Sequence, residues 1–183
     1  MLSNTAPVIN PHIFRQYDVR GVVGRELTAD FARSLGRAFG TLLRQELGDG
    51  GLRVALGRDN RHSSNELAAA VRDGLTATGI DVIDVATVPT PALYFASANL
   101  ETDGAIQVTG SHNPPEYNGF KLSIRGRSIY GDAIQQLRSI MEAGEYAEGE
   151  GSVENREILS VYIDYVTRRF EVERPVTVVV DCG

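Results

Sequence analysis

Disulfides and long apolar runs are what this sequence lacks. It contains a single cysteine, Cys182, so it has no intrachain disulfide framework. We expect that thiol to be buried at the end of a strand. No stretch approaches the roughly 18 apolar residues of a membrane span. No basic segment followed by an apolar run indicates a signal peptide. These absences predict a cytoplasmic protein without a membrane-embedded part.

A clustered basic surface is also missing. The formal net charge is -6, and acidic and basic residues are interspersed along the chain. General nucleic-acid binding requires basic residues gathered on one face, so we expect no nucleic-acid partner. This charge distribution remains compatible with a small basic pocket for phosphate.

Apolar residues make up 42% of the 183 positions, enough for a hydrophobic core and for one domain or slightly more. Three helices are predicted by apolar residues at helical spacing or by helix-start signals. The first begins at Thr28 and ends at the turn Gly48-Asp49-Gly50-Gly51. The second begins at Ser63, where SSNE fits a capping box, and ends at Gly79. A shorter helical turn covers residues 93–98.

Short apolar runs alternate with these helices. Strands are predicted at residues 53–56, 81–88, 105–108 and 120–124, and again at the β-branched run 176–180. Further helices are predicted at 132–143 and 158–170, with a solvated Gly/Glu-rich connection between them. Strands alternating with helices indicate an α/β layered domain. We place a first domain at 1–152, followed at 153–183 by a linking helix and the first strand of a second domain.

The chemistry is expected in the loop Thr109–Pro115, between two predicted strands. Ligands bind at strand ends in α/β sheets. Gly110 permits close approach to Ser111, and Pro114 and Pro115 stiffen the loop. A serine hydroxyl is a poor nucleophile without assistance. His112 and Lys121 are nearby candidates to supply that assistance. Local composition alone is equally typical of a polar turn.

The wider context of this loop, TGSHNPPEYNGFKLSI, resembles the phosphoserine loop of the α-D-phosphohexomutase family. Three further segments resemble family motifs in the expected order: FRQYDVRG at residues 14–21, GRDNR at 57–61 and VPTP at 88–91. The final VVVDCG resembles the entry into that family's second domain. A lone Ser-His-Asn-Pro would be a weak signal, but several ordered motifs across the chain make a specific one.

This resemblance implies a three-layer α/β/α domain with a small mixed β-sheet, the first domain of a multidomain phosphohexomutase. Such isomerases interconvert hexose 1-phosphates and 6-phosphates through a phosphoserine and a bisphosphorylated sugar. Ser111 matches the phosphoserine, and Lys121 would act beside the reacting oxygen as an electrostatic or proton-transfer group. His112 and Asn113 would line the loop. Arg20 would bind phosphate, and Tyr17 would contact the substrate.

Several residues inside and outside these motifs also have a plainer structural interpretation. Without the motif, Arg20 would be assigned to a surface salt bridge and Tyr17 to the core. Arg58, Asp59 and Arg61 are expected to hold loops together through ion pairs rather than to act in catalysis. His12 and His62 have no metal-ligand spacing, and we expect both at the surface.

The resemblance also implies a Mg2+ ion, bound in part by the phosphate on Ser111, and a hexose 1,6-bisphosphate activator. The family's Asp-Gly-Asp-Gly-Asp-Arg metal loop is absent from this sequence. We therefore expect the remaining domains of the enzyme as partners and little or no mutase activity from this chain alone.

Three readings of the function remain open. Gly110 and the continuation Pro115-Glu116-Tyr117-Asn118 favour mannose and glucose phosphates as substrates, with phosphoglucosamine mutase as the close alternative. The second hypothesis is a non-catalytic phosphosugar-binding module in which Ser111 is unphosphorylated. A structural fragment is the third, but it leaves the motifs unexplained.

Overall fold

The computed structural model describes residues 9–181, which form one mixed sheet with helices on both faces. The strands are β1 (Val19–Val22), β2 (Arg53–Arg58), β3 (Asp81–Thr87), β4 (Gly104–Val108), β5 (Tyr117–Ile124), β6 (Arg127–Ser128) and β7 (Val153–Asn155). The helices are α1 (Ala29–Leu47), α2 (Ser64–Thr76), α3 (Thr90–Asn99), α4 (Asp132–Ala143) and α5 (Leu159–Thr167), preceded by a 3-10 turn at Pro11–Ile13.

The sheet runs in the order β1-β5-β4-β2-β3-β7, and β6 pairs with β5. β4, β2, β3 and β7 are parallel neighbours, whereas β5 is antiparallel to both β4 and β1. The change from parallel to antiparallel pairing falls between β4 and β5. The loop that contains Ser111 connects those two strands.

Two apolar clusters lie on opposite faces of the sheet. The larger one is built by α1, α2 and α4, and it takes in strand residues such as Leu56 and Phe120. The smaller one lies under α3 and α5, where Phe95 of α3 contacts the rings of Tyr162 and Tyr165. Helices on both faces of one sheet make the three-layer α/β/α arrangement with a mixed sheet, as predicted from the sequence.

Helix α1 begins as the sequence predicts, because the Thr28 hydroxyl accepts a hydrogen bond from the Phe31 backbone N–H at 3.2 Å. It crosses α2 at very short range. A Cβ on Gly36 would lie 2.3 Å from the Val71 carbonyl oxygen, and one on Gly74 would lie 2.1 Å from that of Arg33. Glycine at both positions therefore lets the two helix backbones touch.

The predicted capping box at the start of α2 is wrong. Ser63 makes no side-chain cap, and its own backbone is already helical. Its hydroxyl instead accepts a hydrogen bond from Asn118 Nδ2 at 2.9 Å. The neighbouring Ser64 hydroxyl donates to Asp59 Oδ1 at 2.5 Å. The two serine hydroxyls thus form hydrogen bonds with residues on β5 and after β2, and not with the backbone of the first turn of α2.

Two edge strands lie where the sequence predicted none. β1 overlaps the motif at residues 14–21, for which the sequence predicts no secondary structure, and β7 follows the Gly/Glu-rich connection. β7 pairs in parallel with β3 through Val82↔Val153 to Asp84↔Asn155, so the described sheet includes residues 153–155.

The predicted strand at residues 176–180 does not form. Its valines are exposed, Val179 by 93%. A strand is stable only beside a partner, and no strand of the described sheet lies next to this segment. The proposed burial of Cys182 falls outside the described residues. Within residues 9–181, no helix is both long and apolar enough to cross a membrane.

Candidate active site

Ser111 lies in the loop between β4 and β5, and its side chain is exposed. Its backbone φ is +55°, a left-handed conformation that serine rarely adopts. Its N–H donates to Thr109 Oγ1 at 2.9 Å. Its Oγ lies 3.4 Å from Nδ1 of His112, which is also exposed. The loop therefore presents one hydroxyl to solvent with an imidazole beside it.

Arg61, in the turn after β2, holds this loop through hydrogen bonds. The guanidinium donates to backbone carbonyl oxygens of four loop residues, at 2.6 to 3.1 Å. Those four residues are Ser111, Asn113, Pro114 and Tyr117. The side chain is only 16% exposed. The sequence predicts a turn held by ion pairs here, and it does not predict this reach across the loop.

Asp59 connects the same turn to the rest of the domain. Its carboxylate pairs with Arg61 Nε at 3.2 Å and accepts the Gly110 N–H at 3.1 Å. It also accepts the Ser64 hydroxyl, which in turn accepts a hydrogen bond from fully buried Asn118 at 2.9 Å. One polar network thus joins the Ser111 loop, the start of α2 and strand β5.

Gly110 is required by the position of Arg61. A Cβ on Gly110 would lie 2.4 Å from both Cζ and Nε of the guanidinium. The sequence-based reason for this glycine was close approach of a substrate. The structure gives a different one, because the space beside Gly110 belongs to the residue that holds the loop.

A second group of charges lies on β1 and β5. Arg20 Nη2 donates to Asp18 Oδ2 at 2.5 Å, and the Arg20 and Asp18 side chains are only 9% and 12% exposed. Lys121 Nζ lies 3.8 Å from the same oxygen and is 31% exposed. Within the described residues, the buried Arg20 Nε has no hydrogen-bond partner. The Asp18 carboxylate thus lies within ion-pair distance of two cations, and the Arg20 Nε–H is still able to donate a hydrogen bond.

Strand register brings these charges to the end of the sheet that carries Ser111. Arg20 lies opposite Gly119, whose carbonyl accepts the Thr109 N–H. Lys121 lies opposite Gln107. Arg20 and Lys121 are therefore level with positions two and four residues before Ser111. Buried Arg20 and partly exposed Lys121 thus lie at the end of the sheet that carries the exposed Ser111 hydroxyl, an arrangement suited to an anionic ligand.

Comparison with known proteins identifies the family. The family profile described as "Phosphoglucomutase/phosphomannomutase, alpha/beta/alpha domain I" matches residues 11–148. The chain belongs to this family. That match includes Arg20, the Asp59–Arg61 turn, Ser111 and Lys121. It confirms the resemblance seen in the sequence.

Relatives in the family are similar over essentially the whole chain. A phosphomannomutase/phosphoglucomutase of Pseudomonas aeruginosa is 44% identical over all 183 residues, and a phosphoglucomutase of Neisseria gonorrhoeae is 41% identical over 96% of the chain. The crystal structure of a phosphoglucomutase/phosphomannomutase family protein from Burkholderia thailandensis superimposes with a TM-score of 0.86 at 45% identity, over 92% of this chain and 38% of that one.

The chain spans 39% of the Pseudomonas relative's length and 38% of the Neisseria relative's. In this multidomain family it corresponds to the first α/β/α domain. The exposed α5 and the segment after it follow the part that the family profile covers.

The remaining two site candidates are Tyr17 and Asn113. Tyr17 is 69% exposed, so it is not a core aromatic, and its ring lies 6.4 Å from that of exposed Tyr130. Asn113 takes part through its backbone, which donates to the Gly110 carbonyl at 3.1 Å and accepts from Arg61. Tyr130 was not a candidate from the sequence, because it lies outside the motifs.

Two secondary interpretations are confirmed. Arg58 pairs with Asp84 at 2.8 Å and donates to Asn65 at 2.7 Å, so the 57–61 turn is ion-paired at both of its arginines. His12 and His62 are exposed.

Asp18 is the main site residue that the sequence reasoning missed. It lies two positions before Arg20, where an extended backbone brings both side chains to one face of the sheet. That spacing alone could have singled it out, and the cation on the adjacent strand, Lys121, is its second partner.

Proposed function

We propose that this chain is the phosphoserine-bearing domain of a hexose-phosphate mutase, with Ser111 as the residue that carries the transferred phosphoryl group. The proposal rests on the exposed hydroxyl of Ser111, a residue whose backbone φ is +55°. This hydroxyl lies at the same end of the sheet as the Arg20 and Lys121 cations. The names of the relatives favour mannose and glucose phosphates as substrates. Phosphoglucosamine mutase is the alternative within the family.

In the proposed reaction a sugar hydroxyl oxygen forms a bond to phosphorus while the bond from phosphorus to Ser111 Oγ breaks. The sugar hydroxyl loses a proton and Ser111 Oγ regains one, with no change of oxidation state. His112 Nδ1, 3.4 Å from Ser111 Oγ, is positioned to exchange that proton. After the bisphosphorylated sugar reorients, its other phosphoryl group is transferred to Ser111 Oγ, which restores the phosphoserine and releases the isomeric monophosphate.

Catalysis of phosphoryl transfer depends chiefly on positioning and charge neutralisation. Lys121 would neutralise the phosphoryl oxygens or move a proton beside the reacting oxygen. Arg20 would bind a substrate phosphate through the guanidinium N–H groups that Asp18 leaves free. Asn113 and the exposed Tyr17 would line the substrate side of the loop.

Mg2+ would supply further neutralisation of the phosphoryl group when bound. The described residues fit it only in part. Among residues 9–181 no cluster of three or more His, Cys, Asp or Glu could hold a metal ion. The nearby carboxylates of Asp59 and Asp18 are already paired with cations. The phosphate on Ser111 would supply one ligand, and the others would come from an aspartate loop outside this chain.

The proposal therefore includes further domains of the same enzyme as partners and a hexose 1,6-bisphosphate that charges Ser111. It also places the enzyme in the cytoplasm, where hexose phosphates are retained because charged groups cross membranes poorly.

The test is turnover of glucose 1-phosphate and mannose 1-phosphate by this chain and by a longer protein that also carries the aspartate loop. We expect no turnover from the chain alone. In the longer protein, Ser111→Ala should lower turnover at least about a thousandfold, while Ser128→Ala, at an exposed serine on β6, should leave it unchanged. Full turnover by the Ser111→Ala protein would exclude the phosphoserine mechanism. Absence of turnover by the unaltered longer protein would favour a phosphosugar-binding module.

A further inference from the structure

We infer that Arg61 is the positioning residue of the Ser111 loop and does not bind substrate phosphate. The inference rests on the proposed function only in that the loop carries the transferred phosphoryl group. A basic turn such as GRDNR beside a phosphoryl-transfer site invites the opposite assignment, in which Arg61 grips phosphate directly.

Hydrogen-bond accounting decides between the two. Arginine has five N–H groups. Nε donates to Asp59, Nη1 donates to the carbonyls of Pro114 and Tyr117, and Nη2 donates to those of Ser111 and Asn113. Every N–H is used, so none is left for a phosphate oxygen. Arg20 differs, because its Nη2 donates to Asp18 while its buried Nε finds no acceptor among residues 9–181.

The contacts of Arg61 explain how Ser111 keeps an unfavourable backbone. A residue at positive φ persists only where its surroundings hold it. The Ser111 N–H is bound by Thr109 Oγ1 at 2.9 Å and its carbonyl by Arg61 Nη2 at 3.1 Å. Both peptide groups of the strained residue are therefore fixed, one from within the loop and one from the turn after β2.

The same contacts have an electrostatic consequence. Four carbonyl oxygens of the loop point at one guanidinium, which neutralises their partial negative charge. Freed from it, these oxygens could turn toward a phosphate on Ser111 and repel it. Arg61 therefore affects the phosphoryl group through the backbone that presents it.

The test is hydrogen exchange of Arg61→Lys, which keeps the charge but loses the planar five-donor geometry. The hydrogen-bonded amides of Gly110, Ser111, Asn113 and Tyr117 should exchange about tenfold faster, as expected when hydrogen bonds to a charged group are lost. Strands β2 and β4 should keep their protection. Arg58→Lys is the matched control: it alters the other arginine of the same turn, which does not contact the loop. It should leave loop exchange unchanged.

A second variant covers the case in which Arg61→Lys fails to fold. Gly110→Ala leaves Arg61 in place but puts a methyl group where its guanidinium lies. It should produce the same local increase in exchange. Loop exchange within twofold of the original protein in the variants that fold would overturn the inference.

Charging of Ser111 by glucose 1,6-bisphosphate and Mg2+ is measured separately, in the longer protein. The inference predicts slower charging in Arg61→Lys with affinity for glucose 1-phosphate unchanged, whereas Arg20→Lys should lose affinity. An equal loss of affinity in both variants would show that Arg61 binds phosphate. If Ser111 of the unaltered protein is never charged, the proposed function fails, and the exchange data still decide the role of Arg61.

Discussion

Arg20 and Asp18 form an ion pair in which both side chains are about nine-tenths buried, with Nη2 and Oδ2 2.5 Å apart. Burial removes most of the water that would otherwise solvate these charges, so each depends on the other. Arg20 lies on β1, an edge strand of only four residues, and Asp18 directly precedes that strand. It also orients the arginine that the proposed mechanism uses for phosphate.

Replacing Asp18 by asparagine should therefore lower the free energy of unfolding by about 3 kcal/mol, because it leaves Arg20 as a buried unpaired charge. Denaturant unfolding measures the change. Asp30→Asn is the control, since Asp30 forms an exposed pair with Arg33 and should cost less than about 0.5 kcal/mol. Equal effects of the two substitutions would contradict the assignment of Asp18 as a buried partner.

Backbone strain at Ser111 predicts that glycine is more stabilising than alanine at this position, the reverse of the usual order. Because φ is +55°, Ser111→Gly should be more stable than Ser111→Ala by about 1 kcal/mol. At Ser128, on β6, glycine should be less stable than alanine by about 0.5 kcal/mol. Thermal unfolding of the four variants checks both signs. A less stable glycine variant at position 111 would show that the loop is not strained there.

The crossing of α1 and α2 predicts that a single methyl group is harmful in Gly74→Ala. Alanine favours helices by about 1 kcal/mol over glycine, but here its Cβ would lie 2.1 Å from the Arg33 carbonyl oxygen. We expect a net loss of about 2 kcal/mol from overpacking, measured by denaturant unfolding. Gly50→Ala, with nothing within 4 Å of the added Cβ, should not destabilise. A stabilised Gly74→Ala protein would refute the close crossing.

Glu26 makes stability depend on pH. Its pKa is lowered from 4.5, chiefly because its carboxylate accepts the Val22 N–H at 2.8 Å and also the Asn10 amide. A lowered folded pKa means that the charged form stabilises the fold above pH 4.5 and that this stabilisation is lost as the pH falls through the folded value.

Glu26→Gln should therefore be less stable than the original protein at pH 7, by under about 1 kcal/mol for a partly exposed group. The difference should shrink in acid. Melting temperatures of both proteins at pH 7 and pH 3 provide the measurement. A difference that stays constant or grows at low pH would contradict the role of the Glu26 charge.

Local sequence signals predicted the elements that depend on local contacts. Thr28 and Gly48 mark the ends of α1 because capping and a left-handed turn act within a few residues. The motifs also placed Ser111 between β4 and β5. β1 and β7 escaped prediction because the segments VRGV and VEN have no alternating pattern and form only by pairing with distant strands.

The parts of the site that the sequence did not predict also depend on contacts between residues far apart in the chain. Arg61 reaches carbonyls about fifty positions away, and Asn118 replaces the local cap at Ser63. The run at 176–180 has strand propensity, yet it forms no strand without a partner. Propensity is a weak guide wherever tertiary contacts decide the outcome.

The central claim is that Ser111 carries the transferred phosphoryl group, and the most direct measurement is the mass of the peptide containing Ser111. It is taken from the longer protein as purified and after incubation with glucose 1,6-bisphosphate and Mg2+. The account predicts one phosphoryl group on Ser111, still present in Ser128→Ala and absent in Ser111→Ala. An unmodified Ser111 in a protein that interconverts hexose phosphates, or a phosphate on another residue, would contradict it.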